Sequence, residues 1–174
     1  MGRRDVLLFT MEEAHTRLRD RLEGLTDEEF FWKPVPEAWT IYEDRPGHWT
    51  YDYAIADPDP APATTIAWQV THLATTRFIY HEWAYGAATL TFPELLIPTN
   101  LAGAIEFLHD GYEALHVDLD EETEGGLDQL RKTNWGDTWP AWRVFTRDDR
   151  PRRSAHRGDR QSAGSVLLDD PQLI

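Results

Sequence analysis

The chain has no cysteine. That removes disulfides, thiolate ligands and cysteine nucleophiles, and leaves any bound metal to histidine, aspartate, glutamate and water. Serine is almost as scarce: Ser154, Ser162 and Ser165 are the only three, so nothing upstream of them supports a Ser-His-Asp triad. No apolar run approaches the roughly 18 residues of a membrane span. The opening MGRRDVLLFTMEEAH turns acidic too soon for a signal peptide. No Gly-rich phosphate loop occurs. Positive charge is also short, with 17 Lys and Arg against 31 Asp and Glu. A formal charge of −14 argues against nucleic acid and against an anionic membrane surface. A cytoplasmic protein is expected, with a small-molecule substrate as partner and, in a homodimer, a second copy of the chain.

What is present is enough for one core: 174 residues, 41% of them hydrophobic, with eight Trp. Residues 4–24 read as an amphipathic helix, since Leu7, Met11, Ala14, Leu18, Leu22 and Leu25 recur at spacings of three and four. Gly24 ends it, and Thr26-Asp27-Glu28-Glu29 follows as an N-cap with an acidic first turn. Residues 39–62 read as a long loop rich in Pro, Asp and aromatics, with Tyr42, Trp49, Tyr51 and Tyr53 close together. Such a loop is expected to pack as a lid rather than to hang as a linker.

A second helix is expected over 64–85, capped by Thr64 or Thr65 and closed by Gly86. Ile66, Val70, Leu73, Tyr80 and Ala84 make one stripe on it; Trp68, His72, Ile79 and Trp83 make the next. With apolar residues over much of its circumference, it belongs at the centre. A third helix starts at Thr99 or Asn100 and reaches about Leu119, with Ile105, Leu108, Tyr112, Leu115 and Leu119 inward. A fourth covers 138–149, with Thr138 as cap and Pro140 in its first turn. No strand is expected. The fold class is all-α, an antiparallel four-helix bundle over 1–149 with a long aromatic and Pro-rich loop between helices 1 and 2.

The end of the chain differs in kind. All 21 aromatic residues lie within 1–146, while six of the 17 basic residues fall within 147–160. Pro151 should stop the fourth helix, and no apolar period resumes before Val166-Leu167-Leu168. Residues 150–174 are read as an irregular basic tail.

His72 poses the chemical question. It sits in IAWQVTHLATTRF, among aliphatic and aromatic neighbours. One reading is a core histidine hydrogen-bonded to a carbonyl; the other is a metal ligand, because neutral imidazole suits zinc, nickel and iron. Three stretches bear on it: LEGLTDEEFFWKP with PEAWTI, then TTIAWQVTHLATTRFIYHEW, then WGDTWPAWRVF. Together they resemble the DinB-like family of bacterial metalloproteins over roughly residues 5–146. The most specific parts are the W-x-P…W stretch and IAW-x-x-x-HL.

That resemblance implies a four-helix bundle holding one divalent metal, zinc, nickel or iron, through three histidines. The first falls on His72, and the other two stand on the fourth helix in an H-x-x-x-H spacing. Some relatives use such a centre to activate a low-molecular-weight thiol, which implies a thiol-dependent transferase or hydrolase. Here the chain departs from the family pattern. Between Trp139 and Ile174 the one histidine is His156, and no H-x-x-x-H occurs. His72 and His156 are therefore the candidate metal ligands of a site expected to be incomplete. His15, His48, His81, His109 and His116 match no ligand position of the family.

The family commonly ends its last helix with H-x-G-E-I-G-x-L-R-D-L-Y. Codons permitted for Ala155 to Val166, read one base later, allow HTGEIGSLRDLY, so the tail is compatible with out-of-frame translation; a genuine basic tail is the alternative. Two functional readings stay open: a divalent-metal-dependent enzyme, or a non-catalytic bundle that keeps the fold and offers its aromatic loop as an interface.

Overall fold

The computed structural model describes residues 1–54 and 58–146. Three long helices dominate: α1 (Arg3–Leu22), α3 (Ile66–Tyr85) and α4 (Leu101–Glu121). A single turn, α2 (Asp27–Phe30), follows α1, and α5 (Ala141–Thr146) closes the described chain. Each start has a local cause. Thr65 caps α3 by accepting the Trp68 amide at 3.1 Å, and Asn100 caps α4 by accepting the Gly103 amide at 2.8 Å. Thr26 and Glu29 make a reciprocal capping box at α2. Asp27 then reaches across to accept the Leu101 amide at 2.8 Å, tying α2 to the start of α4.

The structure is helix-rich but not purely helical, because two small antiparallel hairpins interrupt it. Strands β1 (Ile41–Arg45) and β2 (His48–Tyr51) pair Ile41 with Tyr51 and Tyr42 with Thr50. They lie in the segment expected as loop. Pro46 and Gly47 make the turn, with Gly47 at φ +77°, a backbone conformation that glycine adopts without strain. The base of this excursion is stapled where Trp39 and Thr65 exchange backbone hydrogen bonds with Ala63 and Trp39 at 2.9 Å.

Strands β3 (Leu130–Lys132) and β4 (Thr138–Pro140) form the second hairpin around Gly136, at φ +79°. Thr138, expected as the cap of the last helix, therefore belongs to a strand. The helix begins three residues later, at Ala141, just beyond Pro140. The expected tail, 150–174, lies outside the described residues.

α3 is central, as its circumference implies. It touches α2, α4, α5, β1 and β3 and buries eight of its residues. Its tightest contact is with α4, where a Cβ built on Gly111 would stand 3.1 Å from the Ala74 carbonyl oxygen. Leu108 and Leu119 are wholly buried on α4. On α1 the period places Ala14 inward, yet Ala14 is exposed and its neighbour His15 is 5% exposed. The His15 imidazole lies flat on the Tyr112 ring, centroids 4.0 Å apart, and that contact turns α1 toward the histidine. Among the described residues no helix is long and apolar enough to cross a membrane.

Candidate functional site

His72 stands on α3 about two turns from its start. Its ring stacks on Trp68, one helical turn earlier, with centroids 4.5 Å apart and planes 15° from parallel. Tyr51 of β2 meets it edge-on at 6.1 Å. These neighbours are themselves held. The Trp68 indole N–H donates to the Asp52 carbonyl at 2.7 Å, pinning the end of the first hairpin to α3. Thr75 donates to the His72 carbonyl at 2.9 Å, and its hydroxyl lies 3.4 Å from that of Tyr51.

Beside this group opens a cavity of about 550 Å³. The first hairpin supplies one wall with Tyr42, His48, Trp49 and Tyr51, continued by Asp52 and Tyr53. α3 supplies Ile79 and Trp83, from the same stripe as His72. The chain from Leu90 to Ile97 supplies Phe92 and Leu95, and the turn of the second hairpin supplies Asn134 and Trp135. The Trp83 indole N–H donates to the Leu90 carbonyl at 2.9 Å, so that wall too is pinned to α3.

The polar side chains of the wall include Asp52, His48 and Asn134. Asp52 accepts the Thr40 amide at 2.7 Å through Oδ2. His48 lies 2.5 Å from Asp44, a contact that holds the Asp44 carboxyl below its ordinary range. The Asn134 Oδ1 is buried and has no hydrogen-bond partner among the described residues. No Lys or Arg lines the cavity among the described residues.

A second histidine group lies elsewhere, between α1 and α4. His15 Nε2 is 3.4 Å from His109 Nδ1, and Tyr112 stacks on the first and lies near His116. Burial, reinforced by Arg77, His109 and Arg19, pulls the His15 pKa down to about 4, so its ring is neutral near pH 7. Arg77, whose guanidinium sits 5.9 Å from the Tyr112 centroid, donates to the Leu108 carbonyl at 3.3 Å.

At the far end of α3, burial works against the Glu122 charge, but Arg131 at 2.6 Å, the Thr123 amide and the Tyr85 hydroxyl outweigh it and hold the carboxyl below its usual range. His81 pairs with Asp118 at 2.7 Å, where burial raises the Asp118 pKa.

The structure thus places His72 behind Tyr51, a residue of the cavity wall, and not in the lining itself; His156 lies outside the described residues. Among the described residues no group of three His, Cys, Asp or Glu converges on one point. Glu82, ten residues from His72, is about 15 Å along the helix axis and accepts the Ala87 amide instead. Sequence reasoning reached Tyr42, Trp49, Tyr51 and Tyr53 through their clustering. It passed over Asn134, Trp135 and Phe92, which only the folded turns bring to the same space.

The family model described as the DinB superfamily matches residues 10–156, a span that takes in His72 and His156. A search of curated proteins returned no match. The matched span runs from within α1 to beyond α5 and includes the IAW-x-x-x-HL histidine on the central helix: the chain belongs to the DinB superfamily.

Proposed function

We propose that the chain is a four-helix bundle of the DinB type that takes a small molecule in the aromatic cavity and holds a divalent metal, zinc, nickel or iron, weakly at His72. The reaction class is a thiol-dependent transferase or a hydrolase. The observation that carries this reading is the placement of His72. Its imidazole is held by Trp68 and Tyr51 on the α3 stripe that also gives Ile79 and Trp83 to the cavity wall.

Weak binding follows from the donor set in the sequence. His156 is the one histidine after Trp139, so the chain beyond Trp139 adds at most one imidazole to that of His72. At the end of the described chain Phe145 packs 5.8 Å from Tyr85, about 20 Å along α3 from His72. A bound ion would lower the pKa of a coordinated water or thiol. The chain's own part is to seat the ligand against the rings of Trp83 and Phe92 and to shield it from water. The out-of-frame origin of the tail belongs to the same proposal, because it accounts for the missing H-x-x-x-H pair. A non-catalytic interaction bundle is the second reading, favoured by Trp32, which is 64% exposed.

Dialysis against chelator-free buffer followed by elemental analysis separates these. The expected result is substoichiometric metal that falls further in His72→Ala and in His156→Ala. Metal that survives both variants, or none in any sample, overturns His72 as a ligand and leaves the second reading. Near-stoichiometric metal lost in His72→Ala overturns the incomplete donor set. The coding DNA tests the tail, and a shifted-frame variant should raise metal content.

A further inference from the structure

We infer that the ligand of the aromatic cavity is an organic cation, a substituted ammonium seated against aromatic faces. The inference rests on the cavity being the ligand site proposed above, and it adds the chemical class. Three rings make a corner there. Tyr51 stands 81° from Tyr53 at 6.3 Å and 77° from Phe92 at 6.4 Å, while Tyr53 and Phe92 lie 5.7 Å apart. Rings at right angles around one space present their electron-rich faces from more than one side, which is how aromatic groups attract an ammonium. Trp49, Trp83 and Trp135 extend the same lining.

The polar chemistry of the wall points the same way. Asp52 brings a carboxylate, and the Asn134 carbonyl oxygen is buried without a hydrogen-bond partner among the described residues. The Trp83 N–H, which could have served an anion, is committed to the Leu90 carbonyl. With no Lys or Arg among the described lining residues, an anionic ligand would meet a carboxylate and no fixed positive charge. A neutral apolar ligand would cover the Asp52 carboxylate, which has the Thr40 amide as a hydrogen-bond donor, without bringing it a counter-charge, at a desolvation cost. A formal charge of −14 over the chain adds a field that concentrates cations at its surface. The volume of about 550 Å³ exceeds a lone trimethylammonium and leaves room for a substituent as large as a ring.

Choline and its uncharged isostere 3,3-dimethylbutan-1-ol differ in charge at nearly constant shape. Their affinities are measured by titration calorimetry on the full chain with EDTA present, and again on His72→Ala, so that metal plays no part. Choline should bind at least about tenfold more tightly than the alcohol. Tyr53→Leu and Phe92→Leu should each weaken choline between about twofold and thirtyfold without changing the alcohol, and Asp52→Asn should do the same through charge alone. Tyr53 is 42% exposed, so its variant keeps the test free of folding effects. Equal affinities, or a choline preference unmoved by these variants, overturn the cation and leave the cavity as a ligand site. No binding of either probe overturns both.

Discussion

Toward α4, helix α3 presents Ala74 to Gly111 so closely that a methyl group on the glycine would crowd the Ala74 carbonyl and the side chains of Arg77 and Phe78. Toward the first hairpin the same helix presents Trp68 and His72, stacked on each other, and then Ile79 and Trp83, and a cavity of about 550 Å³ remains between these last two and the opposite wall. Both faces are apolar. They differ in side-chain size and in how their partners are attached. Small residues let two helix backbones meet, and dispersion contacts then hold the pair along its length. On the other side Ile41 and Tyr51 of the hairpin join the buried core with Ala67 and Val70, and hydrogen bonds from Trp68 to Asp52 and from Trp83 to Leu90 fix the hairpin and the 90–97 segment where large rings leave space between them. One face is built for packing and the other keeps space.

Stability should follow that division. On the packed side Leu108 is 0% exposed, so Leu108→Ala should lose about 2–5 kcal/mol in urea unfolding, the transfer term plus the cavity left behind. A loss under ~1 kcal/mol would mean that the α3–α4 contact relaxes around the gap and that the contrast between the two faces is overstated.

The buried histidine between α1 and α4 sharpens the comparison through pH. His15 titrates near 4 in the folded chain against about 6.5 unfolded. As pH falls from 6.5, the unfolded chain takes up this proton and the folded chain does not until about pH 4. Stability therefore drops across that window, by up to ~3 kcal/mol, and is fully restored above pH 6.5. His15→Phe keeps the stacking on Tyr112 and removes the proton, so its stability should fall less between pH 7 and pH 4.5 than the wild type's. The carboxyls of Asp118 and Glu122 titrate in both proteins, so the difference between the two curves isolates His15. Parallel curves would show that the ring is solvated.

The smallest effect is expected at the cavity rim. Tyr42 is 41% exposed and lies on the cavity side of β1, so Tyr42→Ser should change unfolding free energy by no more than about 0.5 kcal/mol. A change comparable to that of Leu108→Ala would erase the distinction between the faces.

Much of the helical framework could be read from the residues. Asn100 was a recognisable cap, the cap of α3 was narrowed to Thr64 or Thr65 and falls on Thr65, and Leu108, Tyr112, Leu115 and Leu119 recur at helical spacing and are buried on α4. Both hairpins were not legible. Pro46, the acids around it and Gly47 read as loop, although Gly47 closes a turn between two pairing strands. Thr138 has the chemistry of a helix cap, yet its backbone is used to pair with Lys132. On α1 the spacing of apolar residues selected Ala14 over His15. The two are about 100° apart around a helix, so a ring offered by α4 was enough to decide which of them turns inward.

For the site, the sequence by itself determined His72 as the chemical candidate, the absence of an H-x-x-x-H pair in the last helix, and the abundance of aromatic rings around residues 39–53. Spacing, residue type and the family motif are local properties, and they survive without coordinates. Only the tertiary structure decided that Tyr51 of a hairpin, Trp83 of α3, Phe92 of a connecting segment and Asn134 of a distant turn enclose one space. It also decided that His15, and not His72, is the more deeply buried imidazole. The physical reason is the same in both cases. Burial and enclosure depend on which surfaces meet, and residues forty or ninety positions apart carry no mark in the sequence that they will meet.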